Sequence, residues 1–208
     1  HPAPPPILYN QQVTFGSFSK PEKLNSEVIE LWARILSSIP GSRLLLKYQN
    51  FFSDDAMKTL WKGKFKEHGL NIDRINLLSR DDQQADHLAL YSQIDICLDP
   101  FPFNGATATF EALLMGVPVI ALEGKHFVDR VSTTLLKQAS LSQFVAKTTD
   151  DYLSIAQNLA LNNKELVKLR NKIRENLLGS NLCDAPRYAR QIEKAYQDMW
   201  QNRCEKNV

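Results

Sequence analysis

The chain has 208 residues, room for one large domain or two small ones, and a 43% hydrophobic content that supports a real core. With 25 basic and 23 acidic side chains the net charge is +2, so there is no electrostatic case for nucleic acid or an anionic membrane as partner. The longest nearly apolar run, Ala112 to Leu122, carries Gly116 and Pro118 and is too short to span a bilayer.

The first residues, HPAPPP, lack the basic-then-apolar order of a signal peptide. Residues 1–10 read as an extended, proline-rich linker. From there apolar runs of strand length recur at 12–15, 43–48, 74–78, 94–98, 117–122 and 143–146. Helical patterns separate them at 25–39, 54–68, 83–92, 107–116 and 128–138. The clearest, 25–39, sets Val28, Trp32, Ile35, Leu36 and Ile39 on one stripe. From Asp150 onward the pattern is helical, at 150–161, 164–178 and 185–202. Such alternation predicts an α/β fold: a doubly wound, Rossmann-like parallel sheet of about six strands. Residues 11–208 form one such lobe, helical C-terminus included. Right-handed crossovers make the first and fourth strands flank the switch point, so ligand is expected where they end. The three cysteines, Cys97, Cys183 and Cys204, form no CxxC pair. An odd, scattered count suits a reducing compartment, which points to the cytoplasm.

Two loops follow the switch-point strands. In GSFSKPEKL, Gly16 and Ser17 permit a tight turn and close backbone approach, and Lys20 and Lys23 bring ammonium groups to the ligand edge. Either lysine neutralises a phosphate or is a solvated residue ahead of a helix. The loop is neither a dinucleotide fingerprint nor a Walker A loop. In DPFPFNGAT, Asn104-Gly105 is a turn pair and Thr107 a natural N-cap. Thr107 and Glu111 share a helix face. There a hydroxyl and helix amides can meet a phosphate, and the carboxylate can accept from ribose hydroxyls. An unpaired buried Glu111 would cost several kcal/mol, so it faces solvent, a partner or a ligand. Asp99 is a strand-end carboxylate that either acts on a ligand or caps its own loop. His87, alone in its segment, is a ligand contact or an ordinary surface histidine. His68 and His126 have no metal-ligand spacing.

These pieces resemble a known family. FGSF at 15–18 with Lys23, LWARIL at 31–36 and PGSRLLLK at 40–47 are similar to the O-linked N-acetylglucosaminyltransferases. So are HLALY at 87–91, DICLDPFPFNGATAT at 95–109, EALLMGVPVI at 111–120 and YARQIEKAYQDMW at 188–200. The resemblance covers nearly the whole chain and is in the bacterial style. It implies the C-terminal lobe of a GT-B glycosyltransferase, behind an N-terminal lobe and tetratricopeptide repeats, with the final helix packing back toward that first lobe. It implies transfer of GlcNAc from UDP-GlcNAc to protein Ser or Thr. By the same resemblance Lys23 contacts the diphosphate, Thr107 a phosphate, Glu111 the ribose and His87 the uracil. Ser17, Lys20, Asn104 and Gly105 complete the expected UDP site, and backbone near 79–82 reads the uracil edge. Ala108, Lys20 and Leu90 stand where animal enzymes have threonine, glutamine and arginine.

The implied reaction inverts the anomeric centre, and Lys23 is the expected catalytic group, stabilising the leaving diphosphate. No metal or other cofactor is expected, since no Asp-x-Asp motif occurs. The partners expected are the UDP-sugar, an acceptor protein or peptide, and the missing lobe; nucleic acid and membrane are not. The isolated piece is expected to be inactive. A retaining GT-B enzyme is disfavoured because Phe103 replaces the first glutamate of the Glu-x7-Glu pattern. A UDP-glucose-dependent N-glucosyltransferase and a non-catalytic nucleotide-binding or interaction module stay open.

Overall fold

A computed structural model describes residues 2–79 and 87–205. Six parallel strands form one sheet in the order β3-β2-β1-β4-β5-β6. They are β1 (Thr14–Ser17), β2 (Arg43–Lys47), β3 (Ile75–Leu78), β4 (Ile96–Leu98), β5 (Val119–Leu122) and β6 (Val145–Ala146). The register sets Gly16 beside Leu45 on one side and beside Cys97 on the other. The strand order reverses between β1 and β4, the expected switch point.

Eight α-helices accompany the sheet among the described residues: α1 (Ile7–Asn10), α2 (Ser26–Ser38), α3 (Asp55–Lys66), α4 (Thr107–Leu114), α5 (Val131–Gln138), α6 (Thr149–Leu161), α7 (Asn163–Leu178) and α8 (Ala185–Glu205). Helix α2 packs on α3 and α6, while α4 packs on α5 and α7. That pairing gives two helical layers on opposite faces, as right-handed crossovers in opposite directions require. Val28, Trp32, Ile35 and Leu36 of α2 are fully buried, so the apolar stripe faces the sheet. Asn25 caps α2 through its side-chain oxygen, 2.9 Å from the Val28 amide. Gly116 ends α4 with φ +75°, and a Cβ there would lie 2.4 Å from the Arg170 carbonyl oxygen. Only glycine fits both constraints.

Four expectations change. Residues 2–10, expected as an extended linker, are docked on the lobe and end in the helical turn α1. The buried Asp95 carboxylate accepts the Ile7 and Thr14 amides at 2.9 and 2.8 Å, and Arg170 donates to the Ala3 carbonyl at 3.0 Å. Gly16 and Ser17 belong to β1 rather than to a turn. Glycine is needed at 16 because the Ile94 side chain fills the space where a Cβ would sit, 2.3 Å from its nearest carbon. The helix expected over 83–92 is a 3-10 helix at His87–Gln93, with 83–86 outside the described residues. Thr107 is the first residue of α4 rather than its cap, since Ala106 holds that position without a side-chain bond. The Thr107 hydroxyl is therefore not spent on capping.

Candidate functional site

The ends of β1 and β4 bring the two loops together. The first loop closes in a 3-10 turn, Pro21–Lys23, which aims Lys23 across the crevice. Its ammonium donates to the Asn104 carbonyl at 2.7 Å and lies 4.1 Å from the centre of the Phe103 ring. Partial burial lowers the Lys23 pKa, and the nearby Asp99 carboxylate opposes that shift. The Asn25 amide nitrogen donates to the Phe101 carbonyl at 3.0 Å, which ties the start of α2 to the second loop.

Asp99 organises that loop from beneath. One carboxylate oxygen accepts the Gly105 amide at 2.8 Å and the Thr109 hydroxyl at 3.3 Å. Ser132 on α5 bonds the Thr109 hydroxyl at 2.7 Å and donates to the Gly105 carbonyl at 3.0 Å. A Cβ on Gly105 would lie 2.6 Å from both the Asp99 and the Thr109 oxygens, so this packing requires glycine. Burial pushes the Asp99 pKa up to about 7, against the pull of the Gly105 amide, Ser132, Lys23 and Thr109. Of the two readings open for Asp99, the geometry carries the loop cap. Three buried polar atoms at this crevice have no hydrogen-bond partner: Ser17 Oγ, the second Asp99 oxygen and Asn104 Oδ1. Orphaned buried groups are uncommon in folded proteins, and a bound ligand or water is one way to complete them.

One helical turn away, a second group of side chains gathers on α4. Glu111 Oε2 lies 3.0 Å from His87 Nε2 and accepts the Tyr91 hydroxyl at 3.3 Å. His87 Nδ1 lies 2.8 Å from the ammonium of Lys47, the last residue of β2. The His87 ring packs against Phe18 and Tyr91, with centroids 5.7 and 5.9 Å apart. Glu111 is thus partnered and half-buried, and His87, although its side chain is 42% exposed, is tied into a network.

The structure therefore brings Ser17, Lys23, Asn104, Gly105 and Thr107 to one crevice, with His87 and Glu111 beside it. Lys20 stands apart, exposed and ion-paired with Glu22 at 3.3 Å. Of the backbone expected near 79–82, Ser79 is buried and 80–82 lie outside the described residues. Sequence reasoning missed Lys47, Tyr91, Thr109 and Ser132. Lys47 did leave a signal: a lysine closing the apolar run LLLK at the ligand edge of a central strand. Among the described residues no group of three or more His, Cys, Asp or Glu could hold a metal ion, and no helix is long and apolar enough to cross a membrane.

The architecture recurs in known proteins. A structure of an O-GlcNAc transferase mutant from Thermobaculum terrenum superposes on all of this chain and 39% of its own, with a TM-score of 0.90 and 31% identity. A glycosyltransferase C-terminal domain from Francisella tularensis, 19% identical with a TM-score of 0.57, shares the fold. Among curated relatives, the probable UDP-N-acetylglucosamine–peptide N-acetylglucosaminyltransferase SPINDLY of Hordeum vulgare is 38% identical over 202 residues. That match takes in 97% of this chain and 21% of the relative. The Arabidopsis thaliana protein of the same description is also 38% identical, with 22% of its length matched. The chain thus spans about a fifth of the length of these relatives. The model of glycosyl transferase family 41 matches residues 7–192, and the chain belongs to that family.

Proposed function

We propose that this chain is the nucleotide-sugar-binding lobe of an inverting protein glycosyltransferase, transferring GlcNAc from UDP-GlcNAc to Ser or Thr. The observation that carries this reading is the crevice between β1 and β4. A lysine is held at its mouth, an exposed helix start lies opposite, and three orphaned buried polar atoms lie beneath. Relatives described as probable UDP-N-acetylglucosamine–peptide transferases support this choice of donor and of a peptide acceptor.

Each group has a task. Lys23 and the first amides of α4 neutralise the diphosphate and stabilise it as it leaves, without a metal ion. The Thr107 hydroxyl, free of a capping role, donates to a phosphate oxygen. Glu111 accepts from the ribose, and His87 packs on the base. Ser17, Asn104 and Gly105 line the floor. The acceptor hydroxyl attacks the anomeric carbon, its proton passing to a group supplied by the complementary lobe. That lobe, and tetratricopeptide repeats before it, complete the enzyme. Helix α8, which buries none of its residues and exposes Tyr188, Tyr196, Met199 and Trp200, is the surface for the first lobe. Three free cysteines suit a cytoplasmic setting.

Calorimetric titration with UDP tests the reading. Weak binding is expected, lost in Lys23→Ala and Glu111→Ala, with no GlcNAc transfer to peptide by this chain alone. Absence of binding at millimolar UDP would refute the donor site and favour an interaction module. Sugar transfer by the chain alone would refute the need for the other lobe.

A further inference from the structure

The side chains around His87 form a directed chain that assigns a role to Lys47. Lys47 is 6% exposed at the end of β2. Its Nζ lies 2.8 Å from His87 Nδ1, and 5.7 Å from the centre of the Phe18 ring. An ammonium has three donors and no acceptor, so Nδ1 must offer its lone pair. The imidazole proton then resides on Nε2, which faces Glu111 Oε2 at 3.0 Å and donates to it. Tyr91 OH donates to the same Oε2 at 3.3 Å and to the Ala108 carbonyl at 3.1 Å as alternative acceptors. Both bonds converge on Oε2, which leaves Oε1 outside these two contacts. With the opposite tautomer, Nε2 and Oε2 would present two lone pairs to each other at hydrogen-bond distance. Glu111 would then have to turn away.

We propose that Lys47 is a positioning residue that locks His87 in its Nε2–H tautomer and thereby fixes the Glu111 carboxylate for the hydroxyls of a ribonucleotide. The ribose half of this inference rests on the nucleotide-site reading above; the tautomer half does not. Lys47 acts from its place against His87. Its effect passes through His87 to Glu111, and so it falls on ribose recognition rather than on binding as a whole. Lys23, on the diphosphate, affects ribose and deoxyribose nucleotides alike.

The test has two readouts on the 208-residue chain. The first is ¹⁵N–¹H correlation of the histidine side chains without nucleotide, with the His87 signals assigned through His87→Gln. The wild type is expected to show the Nε2–H form, Lys47→Met a mixture or the other tautomer, and Lys47→Arg, another pure donor, the wild-type pattern. The second is calorimetry with UDP and 2′-deoxy-UDP. Lys47→Met should weaken UDP about fivefold, as expected for one lost hydrogen bond, and 2′-deoxy-UDP by about twofold or less. Lys47→Arg should restore the preference. An Nδ1–H form in the wild type, an unchanged tautomer in Lys47→Met, or an equal loss for both nucleotides would overturn the proposal. If the wild type binds neither nucleotide, the donor-site reading falls and takes the ribose half with it, while the spectra still decide the tautomer lock.

Discussion

Asp99 makes the stability of this lobe depend on pH in a direction opposite to that of most carboxylates. The side chain is 3% exposed, with one oxygen bonded to Gly105 and Thr109 and the other without a partner. Burial raises its pKa from 3.8 to about 7. Between pH 4 and pH 7 the folded state therefore holds a proton that the unfolded chain has released. Stability from this group is present below the unfolded pKa and falls as pH rises toward 7, by about 1.4 kcal/mol per pH unit and about 4 kcal/mol in all. Asp95, raised to about 6 by burial, adds a loss of the same sign over a window ending near pH 6. Asp99→Asn removes the Asp99 share and keeps an oxygen for the Gly105 amide. Urea unfolding at pH 5, 6, 7 and 8 would be compared for both proteins, whose other titrating groups are common. The difference in unfolding free energy, wild type minus variant, should fall by about 1 kcal/mol from pH 6 to 7 and level off above pH 7.5. A difference that stays constant or rises with pH would refute a buried, proton-holding Asp99.

Further outcomes follow from single contacts. Gly105→Ala forces a Cβ against Asp99 and Thr109 oxygens 2.6 Å away. It should abolish UDP binding measured by calorimetry while costing about 1–3 kcal/mol in urea unfolding. Gly116→Ala meets both a φ of +75° and the Arg170 carbonyl at 2.4 Å, so it should lower the thermal midpoint by more than about 5 °C. Asn25→Ala loses the α2 cap and the bond to Phe101, with an expected loss of about 1–2 kcal/mol by chemical denaturation. Tyr196→Ser and Trp200→Ser change residues that are 67% and 71% exposed. Each should leave the stability of this chain within about 0.5 kcal/mol, and a larger loss would show that α8 is packed on the lobe.

Much of the fold is legible along the chain because each signal is local. The stripe of α2 and the apolar run of β5 reflect periodicity and burial, and each element lies within a few residues of its expected place. Asn104-Gly105 and Glu111 could be singled out because turn chemistry and helix spacing are short-range properties. The errors share one cause. Gly16 looked like a turn residue, yet its role is set by Ile94, a neighbour distant in sequence. Thr107 had the chemistry of a cap, but the loop anchored by Asp99 starts the helix one residue earlier. His87 looked solitary because its partners, Lys47 and Glu111, come from β2 and α4.

The sequence by itself determined a doubly wound sheet, its switch point and the two loops that end there. Periodicity, turn residues and the handedness of crossovers act within single units of the chain. Only the tertiary structure decided which groups in those loops are held, and by what. It joined Lys23 to Asn104 over 81 residues, set Asp99 beneath Gly105 with one oxygen unmatched, and aligned Lys47, His87 and Glu111 in one donor-to-acceptor chain. Charge and hydrogen bonding act over a few ångströms of space, and the spacing of those residues along the chain carries no trace of that proximity.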